Sequence, residues 1–228
     1  MRRLTALFAG LLLSSSACAL SLADLTQQDA SGGLRDALGQ GARAAVQQLG
    51  VPGGFSSDPD MRIGLPGNLG KVARTMKLMG MGAQIEQLED SMNRAAEAAV
   101  PEAQALLLDA VQKMTLDDAK GILAGPQDAA TQYLERSSRE QIRARFLPIV
   151  KQATDQVGLA QQYNSFAATA ASFGALDARS ANIEGYVTEQ ALDGLFRVIA
   201  EQEAGIRQNP AGAASSLAKK VFGTLQGH

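Results

Sequence analysis

From Ile85 to Met114 the chain reads IEQLEDSMNRAAEAAVPEAQALLLDAVQKM. Its apolar residues step by three and four: Ile85, Leu88, Met92, Ala95, Ala96 and Ala99, then Ala103, Leu106, Leu107, Ala110, Val111 and Met114. That spacing places them on one face of a 3.6-residue helix, and Pro101 between the runs suits the first turn of the second. The pattern extends in both directions, through Leu69, Val72, Ala73, Met76 and Met79 before it and Ile142, Phe146, Ile149, Val150, Ala153 and Val157 after it. Thr115-x-x-Asp118 and Ser138-x-x-Gln141 read as capping boxes, and Asn209-Pro210 as an N-cap followed by proline. Glycines 80, 82, 125, 158, 174 and 223 fall where helices would end or turn. The expected fold is all-α, a single-domain bundle of about eight or nine helices.

Two segments interrupt the pattern. Val51 to Pro66 holds three prolines, and Met61, Ile63 and Leu65 alternate in period two. This predicts a loop with one short extended stretch, pairing in a small hairpin or lying across the bundle. Ser172 to Asn182 reads as a second loop. Neither is long or polar enough for an interdomain linker, so residues 32–228 are expected to form one helical domain behind an N-terminal arm over 20–31.

The first residues carry an address. Arg2 and Arg3 precede an apolar run from Leu4 to Leu13, and Ala17 and Ala19 supply an A-x-A cleavage pattern, so residues 1–19 read as a signal peptide. The apolar run is too short for a confident membrane span, and no transmembrane segment is expected in the mature chain. Ser15 stands where lipidation of Cys18 would require an aliphatic residue, which leaves a lipoprotein as the alternative to a soluble periplasmic protein. After cleavage before Leu20 the chain has no cysteine, and 19 basic residues (21 less Arg2 and Arg3) face 23 acidic ones, a net charge of −4. With no disulfides, a chain of 228 residues that is 46% hydrophobic must rely on its buried core. A mildly acidic chain with no basic run argues against nucleic acid as a partner.

The same inventory removes most catalytic chemistry. The one histidine, His228, is the last residue, so neither a Cys-His nor a Ser-His-Asp arrangement can be built. There is no GxxxxGK[ST], GxGxxG or GxSxG motif, a Cys/His zinc site is excluded, and no cofactor is expected. What remains is polar. Tyr186, Gln190, Asp193, Arg197 and Glu201 form one helical stripe beside an apolar one of Val187, Ala191, Leu195 and Val198. Asp193–Arg197 and Arg197–Glu201 are i,i+4 pairs worth about 0.2–0.5 kcal/mol each, so a solvated face explains the stripe as well as a cleft wall does. Asp118 has a capping role with Thr115, Asp128 suits the dipole of a helix beginning after Pro126, and Asp90 lies four residues before Arg94 as a surface partner.

These segments resemble a bacterial exported family known as domain of unknown function 4197. The residues carrying the likeness are Leu34 to Ala45 (LRDALGQGARAA), Asn93 to Glu97 (NRAAE), Met114 to Leu123 (MTLDDAKGIL), Asp128 to Tyr133 (DAATQY) and Tyr186 to Phe196 (YVTEQALDGLF). Ile206 to Pro210 and Lys220 to Gly223 complete it, in order along nearly the whole mature chain. The resemblance implies a helical, exported, single-domain protein and brings no activity or catalytic residue. It directs attention to the polar residues of those motifs: Asn93, Arg94, Asp118, Asp128, Thr131, Tyr133, Tyr186, Asp193 and Arg207.

The reading that follows is a non-enzymatic periplasmic domain that binds a protein partner or a small ligand between helices. Tyr186, Asp193 and Arg197 are expected to form a polar wall, faced by Asp128, Thr131 and Tyr133. The alternatives are an enzyme working through carboxylates, Tyr and Arg or through a hard cation, and a structural subunit of an envelope assembly.

Overall fold

A computed structural model describes residues 27–67, 77–156, 161, 163–164, 182–212 and 215–225. The signal region, most of the second loop, Met76 and His228 lie outside the described residues. Within them the chain forms α1 (Gln27–Leu49), α2 (Gly82–Ala99), α3 (Ala103–Lys113), α4 (Leu116–Ala124), α5 (Ala129–Asp155), α6 (Ile183–Gln208) and α7 (Ser216–Leu225), with no strand among them. The all-α class stands, with seven α-helices among the described residues where about eight or nine were expected along the chain.

One expected helix start is absent, at Ser138. Its hydroxyl donates back to the Leu134 carbonyl at 2.6 Å, four residues earlier, instead of accepting from a helix start. The supposed capping box therefore lies inside α5, which runs unbroken past it and even carries Pro148 in its interior. Gly223 likewise falls inside α7, and α1 begins at Gln27, within the stretch read as an arm, with Ser31 already buried. Other start signals hold. Thr115 and Asp118 exchange both bonds of a capping box at α4, and a 3-10 turn at Val100–Glu102 carries Pro101 into α3. Pro210 follows Asn209 as expected, but in a 3-10 turn, Pro210–Gly212, ahead of α7.

The two longest helices, α5 and α6, pack antiparallel: Thr131 meets Glu203 at one end of the pair, and Arg143 meets Glu189 further along. α1 crosses α3, α4, α6 and α7, and α2 packs on α5 and α6. Leu34, Leu49, Met92, Leu107, Leu134, Ile142, Phe146, Leu192 and Leu195 are fully buried in one continuous core. Alanines at 42, 45, 95, 96, 99 and 103 are equally buried, which keeps neighbouring backbones close.

The loop after α1 lies across this bundle, anchored by Phe55, Met61 and Ile63, all buried. Gly194 of α6 makes room for it: a Cβ there would stand 2.8 Å from Phe55 Cε1. The alternation in the sequence is thus real, but the extended stretch pairs with helix side chains and not with a strand.

Candidate functional site

Most of the polar residues singled out in the sequence are engaged in holding backbone. Asn93, fully buried on α2, binds both sides of one residue in the loop. Ile63 N–H donates to Asn93 Oδ1 at 2.9 Å, and Asn93 Nδ2 donates to the Ile63 carbonyl at 2.9 Å. One turn on, Glu97 Oε1 accepts from Phe55 N at 3.1 Å and from Ser56 N and Oγ at 3.4 Å. From the other side the Tyr186 hydroxyl donates to the Gly64 carbonyl at 2.9 Å, and Arg197 donates to the Asp60 carbonyl at 3.1 Å. Burial, with Glu89 nearby, raises the Tyr186 pKa, so this hydroxyl keeps its proton and remains a donor. Asp90 pairs with Arg62 of the loop at 2.9 Å, while Arg94 reaches Ser91 Oγ.

A second set closes helix ends from outside. Helix termini leave N–H and C=O groups without intrahelical partners. At the start of α5, the N–H groups of Ala130 and Thr131 donate to the carboxylate of Glu203, at 3.1 and 2.9 Å, and the Thr131 hydroxyl joins at 2.8 Å. Asp128, read as the dipole partner of this helix, is exposed and instead accepts from Gln132 Nε2. Arg207, one turn after Glu203, bonds that carboxylate at 2.9 Å and donates to the Ile122 carbonyl in the last turn of α4. The Glu203–Arg207 pair therefore spans the α4–α5 junction, negative on the N-terminus and positive on the C-terminus, as the helix dipoles favour. Tyr133 does similar work by donating to the Ala110 carbonyl of α3 at 3.2 Å, and Arg35 of α1 donates to the Met114 carbonyl just beyond it. Asp118 belongs to its cap: bonds from the Thr115 hydroxyl and backbone lower its pKa.

The expected wall does not assemble. Tyr186 and Arg197 face the loop, Tyr133 faces α3, and Thr131 faces Glu203. Asp193 alone of that set joins a charged concavity, and its partner is Arg139, not Arg197. Here α5 and α6 enclose a cleft of about 290 Å³ lined by Arg139, Glu140, Arg143 and Glu189. Glu189 accepts from Arg139 Nη2 on one carboxylate oxygen at 2.8 Å and from Arg143 Nε on the other at 2.7 Å. Arg139 also bonds Glu135 at 2.7 Å and Asp193 at 2.6 Å, and it lies 6.0 Å from the centre of the Phe196 ring.

The electrostatics fix these charges. Burial works against both members of the Arg139–Glu189 pair. Hydrogen bonds outweigh it, so the guanidinium pKa is raised and the carboxylate pKa lowered. Arg143 is bound more loosely. Its side chain is 42% exposed, with one close bond through Nε, and its nearest other carboxylate is Glu140 at 3.9 Å. Five N–H donors belong to a guanidinium, so Arg143 presents unused ones at the cleft.

Arg139, Arg143 and Glu189 escape a reading of the sequence because the two arginines and the carboxylate lie on different helices, and only the antiparallel packing of α5 on α6 brings them together. Read on one helix, Arg139/Arg143 and Glu189/Asp193 are two i,i+4 pairs of opposite sign, and that complementarity is the signal that finds the site. Glu203 and Glu97 carry no such mark. Among the described residues no group of three or more His, Cys, Asp or Glu is placed to hold a metal, and no helix is long and apolar enough to cross a membrane.

No curated protein and no solved structure gives a significant match to the chain. Residues 24–223, most of the chain, match the family described as "Protein of unknown function (DUF4197)". The matched span includes the loop-holding Asn93 and Glu97, the junction residue Arg207 and the cleft carboxylates Glu189 and Asp193, and the chain belongs to that family.

Proposed function

We propose that the protein is an exported, non-enzymatic binding domain that takes a small polar ligand in the cleft between α5 and α6. The observation that carries this reading is Arg143, a partly exposed guanidinium with unused donors in a concavity where Arg139 and Glu189 hold one another. Buried polar groups elsewhere support it from the other direction, since Asn93, Glu97, Thr131, Tyr186, Glu203 and Arg207 are each committed to backbone or to one another. A cleft of about 290 Å³ is near the lower end of ligand pockets, roughly 300–1,000 Å³, and its lining is charged where most are apolar. That combination suits a small, ionised molecule. Export rests on Arg2-Arg3, the Leu4–Leu13 run and the Ala17-x-Ala19 pattern.

Thermal melting against a panel of small ionised compounds tests the binding. A ligand at about 100 times its Kd adds roughly 2.7 kcal/mol to stability, enough to move the melting temperature visibly. The shift is expected in the wild-type chain and not in Arg143→Gln; a ligand that stabilises both equally binds elsewhere and sinks the assignment. Export is checked by the mass of the cell-envelope form, expected to begin at Leu20.

A further inference from the structure

The cleft also carries information about what kind of ligand it takes, an inference that rests on the binding role proposed above. Around it stand two guanidiniums, Arg139 and Arg143, and four carboxylates, Glu135, Glu140, Glu189 and Asp193, an excess of two negative charges. The distribution is uneven. Arg139 is bonded to three of the carboxylates, and Glu189 has both oxygens occupied. The outward-facing groups are Arg143, whose planar fork matches a carboxylate, and Glu140 and Asp193, which are 85% and 57% exposed and bear negative charge. An anion alone would meet Arg143 but would add to the negative excess; a cation alone would leave the Arg143 donors unused.

We infer that the cleft binds a small zwitterion of net positive charge, with a carboxylate forked onto Arg143 and ammonium groups set against Glu140 and Asp193. A free basic α-amino acid has this chemistry, as does a short peptide ending in one, whose own N-terminus supplies the second ammonium.

Isothermal calorimetry on the purified chain tests this with L-lysine, Gly-Gly-Lys, acetate and cadaverine. L-lysine or Gly-Gly-Lys is expected to bind, and whichever is tighter identifies the free or the peptide form. Binding should weaken about tenfold or more in both Arg143→Gln and Glu140→Gln, the effect of losing one charge-assisted contact. Glu140 is 85% exposed, so the urea midpoint of Glu140→Gln should match the wild type, whereas Arg143→Gln loses its bond to Glu189 and should lie somewhat lower. Should Arg143→Gln unfold, Arg143→Lys keeps the charge without the fork and should still weaken binding. Acetate binding as tightly as L-lysine would make the cleft an anion site, and cadaverine doing so a cation site. Either result overturns the zwitterion and leaves the binding role intact. If none of the four binds, the zwitterion is overturned, and the broader compound panel decides whether the cleft binds anything.

Discussion

Asn93 serves Ile63 as a neighbouring strand would, accepting from its N–H and donating to its carbonyl, each at 2.9 Å. One side-chain amide thus satisfies both backbone groups of a residue that is itself buried on the face of a helical bundle. Leaving buried backbone groups unpaired costs about 1–3 kcal/mol each. Asn93→Ala is expected to lower stability by about 2–4 kcal/mol in urea unfolding and to speed proteolytic cleavage between residues 50 and 66. Asn93→Asp keeps the acceptor and loses the donor, so it should fall between. Equal stability of wild type and Asn93→Ala would show that the loop is held by Phe55 and Met61 instead.

Glu203 acts at a longer sequence distance. It stands 73 residues from Ala130, yet its carboxylate takes the place of a local N-cap at α5, and Arg207 neutralises it. Glu203→Ala would leave two N–H groups and the largely buried Arg207 guanidinium without this partner. Breaking one side of such a buried pair costs about 3–5 kcal/mol. Glu203→Gln keeps the shape and one acceptor, so a smaller loss is expected. A loss under about 1 kcal/mol for the alanine variant would mean that Asp128 can turn in and cap the helix.

Glu189 links the cleft to pH. Burial raises its pKa, but the bonds from Arg139 and Arg143 more than reverse that, so the folded value lies below the ordinary 4.5. A depressed carboxylate contributes stability above its unfolded pKa and loses it as pH falls through the folded one. Stability contributed by the α5–α6 contact should therefore be complete at neutral pH and decline in the acid range below 4.5. In Glu189→Gln that part of the acid dependence should disappear, leaving a flatter profile of urea midpoint against pH. An unchanged slope in the variant would assign the acid sensitivity to other carboxylates.

The helical class and the loop across the bundle are legible in the sequence because both rest on periodicity: 3.6 from Ile85 to Met114 and two from Met61 to Leu65. Thr115 and Asp118 were legible for the same reason, since a capping box is a local device. The candidate site was legible only through Asp193. Glu189, Arg139 and Arg143 acquire meaning from the antiparallel register of α5 against α6, and Glu203 from a contact 73 residues away. No local pattern encodes a register between helices that are distant along the chain. The error at Ser138 is physical in origin, because serine hydroxyls serve helix starts and helix interiors through different bonds.

That difference gives the last prediction. Thr115 and Ser138 occupy the same sequence pattern, a hydroxyl followed three residues later by Asp or Gln. Thr115 Oγ1 accepts from Asp118 N at 3.1 Å, satisfying a backbone donor that has no partner inside the helix. Ser138 Oγ donates to a carbonyl that already belongs to the α5 hydrogen-bond ladder. Thr115→Ala is therefore expected to cost about 1 kcal/mol, the usual loss of an N-cap. Ser138→Ala removes a bond that competes with the helix and introduces the best helix former, so its stability should stay within about 0.5 kcal/mol of wild type. Chemical denaturation of the two variants side by side decides it: a larger loss at Ser138 than at Thr115 would show that the Ser138 hydroxyl stabilises α5 instead of competing with its hydrogen-bond ladder.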